Sequence, residues 1–479
     1  MNKSTVEKYT PYIIWAFLVL FLSICSYFVV YNAQWLIGDD AIVIRHTGFG
    51  HFFKPSDTIQ PEIGRFFPFT YLQYNILPLF SNGRISATTV YTYQMVIMVL
   101  FALFGFLLTL DILKEKPSSW KYPIAFLITV FLVGRHYSNY VNCFSTSWFG
   151  SFINIISISF LYLFHTRERI SYAILSFIAF TYSNYCSEVH FIVPLVIGTG
   201  ALILMRKKLT KKEKLFYLSL ILSSIVFLLI YYFKVYIHIT SAYDSSHGEE
   251  VSLLGNAFNM LFAQKFIWLI FFVALIRFFD IIKNKKGFNF YDILILAAAG
   301  HCVGGFILKL NWTLYYNRAI IIALPSVIYF LNIWLKPKYL CTVALCFAVF
   351  YGIKIPKAIS VSQENRSESY YFVHSLTNLL DDGQRIVFYY PEDETNDFNG
   401  VLRNWIYSSL QTYLAYELNQ ENLFIKRISS IDAVDENSIV LSSDYNNLIT
   451  TEGDKVFNDN YVPIISDKTR NLVVYKKNK

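Results

Sequence analysis

Long apolar stretches separated by short polar connections constrain this sequence more than any other feature. Only 15% of its 479 residues are charged, and 55% are hydrophobic. A helix needs roughly 20 predominantly apolar residues to cross the hydrocarbon core of a bilayer. The sequence therefore predicts an α-helical polytopic membrane protein with about eleven transmembrane helices. The predicted spans are residues 11–31, 85–110, 122–134, 148–164, 170–182, 191–205, 215–236, 257–279, 293–308, 319–335 and 339–355.

The basic residues indicate the orientation of these spans. Lysine and arginine cluster in alternate connections, most densely in RKKLTKKEK (residues 206–214). Cytoplasmic connections are enriched in these residues, so we expect a cytoplasmic N-terminus and an outer C-terminal segment. The net charge of +8 is spread over these clusters and does not indicate nucleic-acid binding. The stretch 122–134 is short for a span, and the count depends on its crossing the membrane.

From about residue 358 the composition changes to that of a soluble domain. We therefore divide the chain into a transmembrane domain, 1–357, and a small extracytoplasmic α/β domain, 358–479. Strands are predicted at 385–390, 423–428, 438–443 and 471–477, and amphipathic helices at 368–382 and 401–419. The domain has no glycine-rich phosphate loop, zinc-protease motif or nucleophile elbow, so nothing in its sequence indicates catalysis.

The first outer loop, residues 32–84, contains the adjacent acids Asp39 and Asp40. A carboxylate beside a second carboxylate at a membrane surface is suited to remove a proton from an acceptor hydroxyl. The alternative is that the acids only cap a helix over 41–53, where negative charge is favourable at the N-terminus. We favour the catalytic interpretation, with Asp40 as the base, and both interpretations are compatible with one another.

Candidate phosphate ligands follow in the same loop and recur at the outer ends of later spans. Arginine can bind a phosphate through two parallel hydrogen bonds, and histidine can add a further donor. The predicted substrate- and phosphate-binding residues are Arg45, His46, Arg65, Arg135, His136, Glu188 and Arg318, with His51, Lys54, Lys309 and an acidic group after the seventh span nearby. Each of them, taken alone, has an alternative as an interfacial charge or a structural ion pair. For His238 and His301 we favour a packing role over metal binding.

The six cysteines have no CxxC spacing, so neither a metal knuckle nor a disulfide framework is indicated. A bridge between Cys143 and Cys186 would be compatible with the predicted topology, but we do not favour it.

The acidic pair, the Gly48–Phe49 segment and the GR pair Gly64–Arg65 before the second span form a pattern. This pattern resembles the GT-C superfamily of integral-membrane glycosyltransferases, and within it the membrane glucosyltransferases that decorate bacterial O-antigen. The resemblance covers the first hundred residues by motif and the rest by layout. The chain departs from many relatives in having DD where they have DE, and its C-terminal domain has no glycan-recognition signature.

The resemblance implies a multi-pass protein of the bacterial inner membrane. It implies inverting transfer of a sugar from a polyprenyl-phosphate donor to a cell-envelope glycan or other acceptor. It matches Asp39 and Asp40 to the acidic pair and Arg65 to the GR arginine. No cofactor is required by it, although a divalent cation, Mg²⁺ or Mn²⁺, held by Asp39, Asp40 and Glu188, is an alternative.

Three other functions compete with this interpretation, and one of them is an assembly or scaffold protein whose outer domain binds a partner and which would not depend on Asp39 and Asp40. A polysaccharide polymerase or ligase would carry its charged outer loop late in the span order, whereas here the charged loop comes first. A transporter of lipid-linked glycans would place charges at mid-membrane in broken helices with paired repeats. The charges of this chain instead lie at the ends of the apolar stretches, which favours an enzyme.

Overall fold

The computed structural model describes residues 3–38, 40–80, 83–143, 145–187, 189–239, 255, 265–307, 313–381, 383–389, 398–429, 434–435, 438–443, 461–467 and 472–477. Helices dominate this part of the chain. They are α1 (Lys3–Val30), α2 (Asp40–Arg45), α3 (Ala87–Ile112), α4 (Ser118–Tyr140), α5 (Ser145–Arg167), α6 (Ile170–Asn184), α7 (Ile192–Leu204), α8 (Lys211–Lys234), α9 (Lys265–Asn284), α10 (Phe290–Ile307), α11 (Thr313–Trp334), α12 (Pro337–Gly352), α13 (Lys354–Asp381) and α14 (Phe398–Glu417).

The protein is a multi-pass membrane protein. Within the described residues, six helical segments are long and apolar enough to cross a bilayer, and two shorter apolar helices accompany them. The six segments are Thr5–Val30, Ala87–Ile112, Ser147–Arg167, Lys211–His238, Asn317–Trp334 and Pro337–Leu380. The short predicted stretch 122–134 lies inside α4, which is 23 residues long. That helix continues through the polar residues up to Tyr140, as the length argument required.

The helices pack into one bundle. The helix α4 lies against α1, α3 and α12, while α5 contacts α3, α6 and α11, and α10 contacts α7 and α11. Small residues allow the closest approaches, as is usual between membrane helices. A Cβ built on Gly134 of α4 would lie 2.6 Å from the carbonyl oxygen of Tyr351 in α12. Backbone therefore meets backbone at this crossing.

The C-terminal segment forms a small α/β unit. Its sheet has five strands in the order β4 (Lys426–Ile428), β3 (Arg385–Tyr389), β5 (Ser438–Ser443), β7 (Leu472–Lys477) and β6 (Tyr461–Asp467). Strand β3 is parallel to β4 and β5, and β7 is antiparallel to β5 and β6. The four predicted strands are confirmed over their described residues, although β4 is shorter than 423–428. The predicted helices 368–382 and 401–419 overlap α13 and α14, which end at Asp381 and Glu417. Strand β6 was not predicted.

The first outer loop is less helical than the sequence suggested. The predicted helix over 41–53 is wrong beyond Arg45, because α2 has only six residues and a short 3₁₀ turn follows it. Gly50 has a φ of +80°, a left-handed conformation that glycine adopts without strain and that ends the turn. Further along, β1 (Ile59–Gln60) and β2 (Arg65–Phe66) form a two-stranded antiparallel sheet.

Candidate functional site

Asp40 begins α2 and is completely buried, with 0% of its surface exposed. Its Oδ2 accepts hydrogen bonds from the backbone N–H of Leu36 at 2.9 Å and from the hydroxyl of Tyr91 at 2.8 Å. Its Oδ1 accepts from the backbone N–H of Cys143 at 3.3 Å. One carboxylate therefore joins the end of α1, the helix α3 and the connection between α4 and α5.

Sequence reasoning missed the residues that surround this carboxylate. Tyr91 is a buried side chain of α3, and the guanidinium of Arg366, from α13, lies 3.7 Å from the centroid of its ring. Two of the three donors to Asp40 are backbone amides, which leave no signal in a sequence. Arg366 did carry a signal, since it is an arginine within the long polar helix that leaves the membrane.

A wall of aromatic and amide side chains lies next to the Asp40 site. The side-chain oxygen of Gln94 accepts a hydrogen bond from the hydroxyl of Tyr74 at 2.7 Å, and its amide nitrogen donates to the backbone carbonyl oxygen of Tyr140 at 2.9 Å. The Tyr74 ring meets the indole of Trp148 edge to face at 5.8 Å, and Tyr140 lies 6.1 Å from the same indole. All of these side chains are buried, so the wall is part of the core.

A second polar cluster lies inside the helix bundle, next to Gly150 of α5. It contains Arg318 of α11 and the imidazoles of His136, His190 and His301, all buried. A guanidinium only donates hydrogen bonds, so the contact between Arg318 Nη1 and His190 Nε2 requires Nε2 to accept. The proton of this imidazole is then on Nδ1, which donates to the carbonyl oxygen of Ser183 at 2.8 Å.

The remaining members complete this cluster. His136 Nδ1 lies 3.3 Å from the hydroxyl of Ser151, and the His190 and His301 rings are 6.2 Å apart. Gly150 leaves space for the cation, because a Cβ there would lie 2.9 Å from Arg318 Nη2. The structure thus brings together two predicted ligands, His136 and Arg318, and it adds His190 and His301.

Several buried polar atoms around this cluster make no hydrogen bond within the described part of the chain. They are His136 Nε2, Trp148 Nε1, Asn154 Nδ2, Ser187 Oγ and Asn317 Oδ1. Buried donors and acceptors are normally satisfied by protein, by water or by a ligand. The set includes two donors, Trp148 Nε1 and Asn154 Nδ2, and the acceptor Asn317 Oδ1, so it suits a ligand or water that both accepts and donates hydrogen bonds.

Arg135 precedes His136 on α4 and lies over the ring of Tyr351 at 5.6 Å. One helical turn earlier, Phe131 lines a cleft between α4, α9, α11 and α12. Its lining within the described residues is entirely apolar and includes Ile128, Phe266, Leu324, Ala344 and Phe347. A cation thus lies one turn above an apolar groove.

The predicted cations of the first loop make their contacts away from the Asp40 site and from the cluster around Arg318. Arg45 Nη2 donates to the hydroxyl of Ser408 in α14 at 3.1 Å. His46 stacks on Phe53, with ring centroids 4.4 Å apart, and its Nδ1 is 3.8 Å from the carboxylate of Asp57. Burial lowers the pKa of His46, although the charge of Asp57 opposes this shift.

Arg65 occupies β2 on the side of the loop that faces α8. The hydroxyl of Tyr231 donates to the carbonyl oxygen of Gly64 at 3.2 Å, and Phe66 packs on Phe227 at 5.8 Å. These contacts fix the GR pair against the outer end of α8. His51 forms an exposed pair with Glu421 at 2.7 Å.

Two predicted site residues, Asp39 and Glu188, lie outside the described residues. Among the residues that are described, no group of three or more His, Cys, Asp or Glu side chains is arranged to hold a metal ion. A divalent-cation site would therefore depend on Asp39 and Glu188. Cys143 and Cys186 are buried free thiols.

Comparison with solved structures identifies the architecture. The apo structure of ArnT from Cupriavidus metallidurans matches with a TM-score of 0.50 and 10% sequence identity, covering 96% of this chain and 97% of that one. The fold is similar to that of ArnT. The structure of the same ArnT bound to undecaprenyl phosphate matches with a TM-score of 0.49, 10% identity and coverage of 96% and 98%. No family model and no curated protein matches the sequence.

ArnT is a glycosyltransferase of the GT-C superfamily. The resemblance to that superfamily, predicted from the acidic pair and the GR motif, is thus confirmed for the fold. At 10% identity the likeness to ArnT is one of architecture, and the chemistry has to be argued from the residues of this chain.

Proposed function

We propose that this chain is an inverting glycosyltransferase that moves a sugar from a polyprenyl-phosphate donor to a cell-envelope glycan, such as O-antigen, at the outer face of the bacterial inner membrane. The buried group of Arg318, His136, His190 and His301 carries the proposal. A lipid phosphate that leaves an anomeric carbon develops negative charge, which a preorganised guanidinium and imidazole donors can stabilise.

The apolar groove below Arg135 fits the lipid part of such a donor. A prenyl chain is entirely hydrocarbon, and the groove offers it an apolar lining with a cation one helical turn above. Arg135 would then meet the phosphate as the chain enters from the bilayer. Arg65, on the α8 side of the first loop, is proposed as a more distant ligand of the donor.

Of the two acids, we now favour Asp39 as the base. A general base must be within hydrogen-bond reach of the hydroxyl that it deprotonates. Asp40 is fully buried, and its oxygens accept three hydrogen bonds from the protein. Asp40 therefore acts as the anchor of the loop that presents Asp39. Glu188 and a divalent cation remain further elements of this proposal.

The topology belongs to the same proposal. Each of the eleven predicted apolar stretches coincides with a helix, α1 or one of α3 to α12, in sequence order. With the lysine-rich connections inside, the N-terminus is cytoplasmic, and residues 358–479 form the outer domain. Both polar clusters then lie at the outer ends of their helices.

The test uses purified protein in nanodiscs and two lipids, a polyprenyl phosphate and the matching polyprenol. We expect the phosphate to bind more tightly than the alcohol, and Arg318→Gln to weaken phosphate binding about 10- to 100-fold, as loss of charge-assisted hydrogen bonds predicts. Arg427→Gln, at an exposed arginine of β4, is the matched control. Equal binding of the two lipids to the unmodified protein, or failure to transfer sugar from any polyprenyl-phosphate donor, would refute the proposal.

A further inference from the structure

The C-terminal segment holds the backbone immediately before Asp39. The hydroxyl of Ser369 in α13 accepts from the backbone N–H of Ile37 at 3.3 Å. The hydroxyl of Ser409 in α14 lies 3.2 Å from the carbonyl oxygen of Gly38 and shares its proton between that oxygen and the carbonyl oxygen of Trp405 at 2.7 Å. Both serines are buried. These contacts join positions 332 and 371 residues apart, so the acidic turn takes its conformation from a distant part of the chain.

Arg366, one turn before Ser369 on α13, binds the ends of the two helices next to the same turn. It donates to the carbonyl oxygen of Val29 at 3.2 Å and to that of Val141, at the C-terminal ends of α1 and α4. A cation is favourable at a helix C-terminus, where carbonyl oxygens lack partners. The same guanidinium lies on the ring of Tyr91, whose hydroxyl donates to Asp40.

These contacts form one stripe along α13. Gln363 donates to the carbonyl oxygen of Phe28 at 3.0 Å, and Ser362 donates to that of Val141 at 3.2 Å. Positions 362 and 363 lie four and three residues before 366, and 369 lies three residues after it. All four therefore share one face of the helix with Arg366 near its centre. A helix fixed at four points against the ends of α1 and α4 has a defined register.

We infer that α13 and α14 position Ile37, Gly38 and Asp40, the described residues on either side of Asp39, and that Arg366, Ser369 and Ser409 are positioning residues of the transfer reaction. The catalytic meaning of this inference rests on the proposed function. Reacting groups must be held within roughly 0.5 Å of their productive geometry. The C-terminal domain is thus a part of the active-site framework, in addition to being a cover over it.

The geometric part is tested by hydrogen exchange on the full chain in nanodiscs. In Ser369→Ala, the peptide covering residues 36–41 should exchange about tenfold faster than in the unmodified protein, because the amide of Ile37 loses its acceptor. Ser367→Ala is the matched control, since Ser367 lies on the exposed side of the same helix. Unchanged exchange in Ser369→Ala overturns the inference whether or not the protein transfers sugar.

The catalytic part is tested by kinetics on the same variants. We expect Ser369→Ala and Ser409→Ala each to lower kcat five- to tenfold, with the donor KM within twofold of its normal value. Arg366→Lys should have the same effect, because an ammonium cannot bind both carbonyls and stack on Tyr91. An unchanged kcat in a variant with fast exchange refutes the positioning role. Absence of transfer by the unmodified protein refutes the proposed function, and the exchange result still decides the geometry.

Discussion

Replacing Asp40 by asparagine separates an anchoring role from a catalytic one. The amide oxygen of asparagine can replace Oδ2 and still accept from Leu36 and Tyr91. Its NH₂ group then replaces Oδ1 and faces the N–H of Cys143, so that a buried donor opposes another donor. A buried donor without its acceptor costs about 1–3 kcal/mol, and the two remaining bonds lose their charge assistance. We therefore expect Asp40→Asn to lower the free energy of unfolding by about 2–4 kcal/mol.

The assay is equilibrium unfolding in detergent, run beside sugar transfer per folded molecule. Asp39→Asn, as the proposed base, should instead lose at least about 100-fold in kcat, the usual contribution of a general base. The hydrogen bond of Tyr91 can be isolated by a double-mutant cycle of Asp40→Asn with Tyr91→Phe, which should show coupling of about 1 kcal/mol. An Asp40→Asn protein with normal stability and 100-fold lower kcat would refute this reasoning and make Asp40 the base.

Three further outcomes are expected. Gly134→Ala should destabilise the protein by about 1–3 kcal/mol, since its Cβ would meet backbone at 2.6 Å, whereas Gly352→Ala, with its nearest atom at 3.5 Å, should change unfolding little. The pKa of His46 is lower in the folded protein than in the unfolded chain, so protonation favours the unfolded chain. The contribution of His46 to the free energy of unfolding should be fully present above about pH 6.5 and should be lost as the pH falls from there through the folded-state pKa. In His46→Gln, the free energy of unfolding should depend less on pH in this range. Ala344→Trp, which fills the groove, should raise the donor KM at least about tenfold. Cys346→Trp, at an exposed position of the same helix, is the control and should leave the KM unchanged. An unchanged KM in Ala344→Trp would exclude the groove as the donor site.

Apolar length and alternation predicted most elements of the fold, and the misses have local causes. Strand β6 contains Pro463, which breaks a strand pattern, and it lies at the edge of the sheet, where a proline is tolerated. The helix expected over 41–53 ends at Arg45, and periodicity does not reveal the 3₁₀ turn Thr47–Phe49 that follows it or the left-handed Gly50 that ends this turn.

The site was less predictable, because its contacts join distant segments. A sequence shows that Asp40 is acidic, but it does not show that the amides of Leu36 and Cys143 and the ring of Tyr91 surround it. His301 did carry a usable signal, since a histidine inside an apolar membrane helix is by default a functional candidate. We interpreted it as a packing residue, and the structure places it beside His190, within the group around Arg318.

The stereochemistry of the proposed transfer sets a requirement for the positions of the two clusters. Inversion requires the acceptor hydroxyl and the leaving phosphate to lie on opposite faces of the anomeric carbon. The group that removes a proton and the group that receives the phosphate must therefore lie on opposite sides of the sugar, as they do in other inverting sugar transfers. In this chain Trp148 packs on Tyr74 in the wall beside Asp40, and Gly150, two residues later on α5, leaves the space for Arg318. Fixing both clusters to helices of one rigid bundle would keep that separation constant during the reaction.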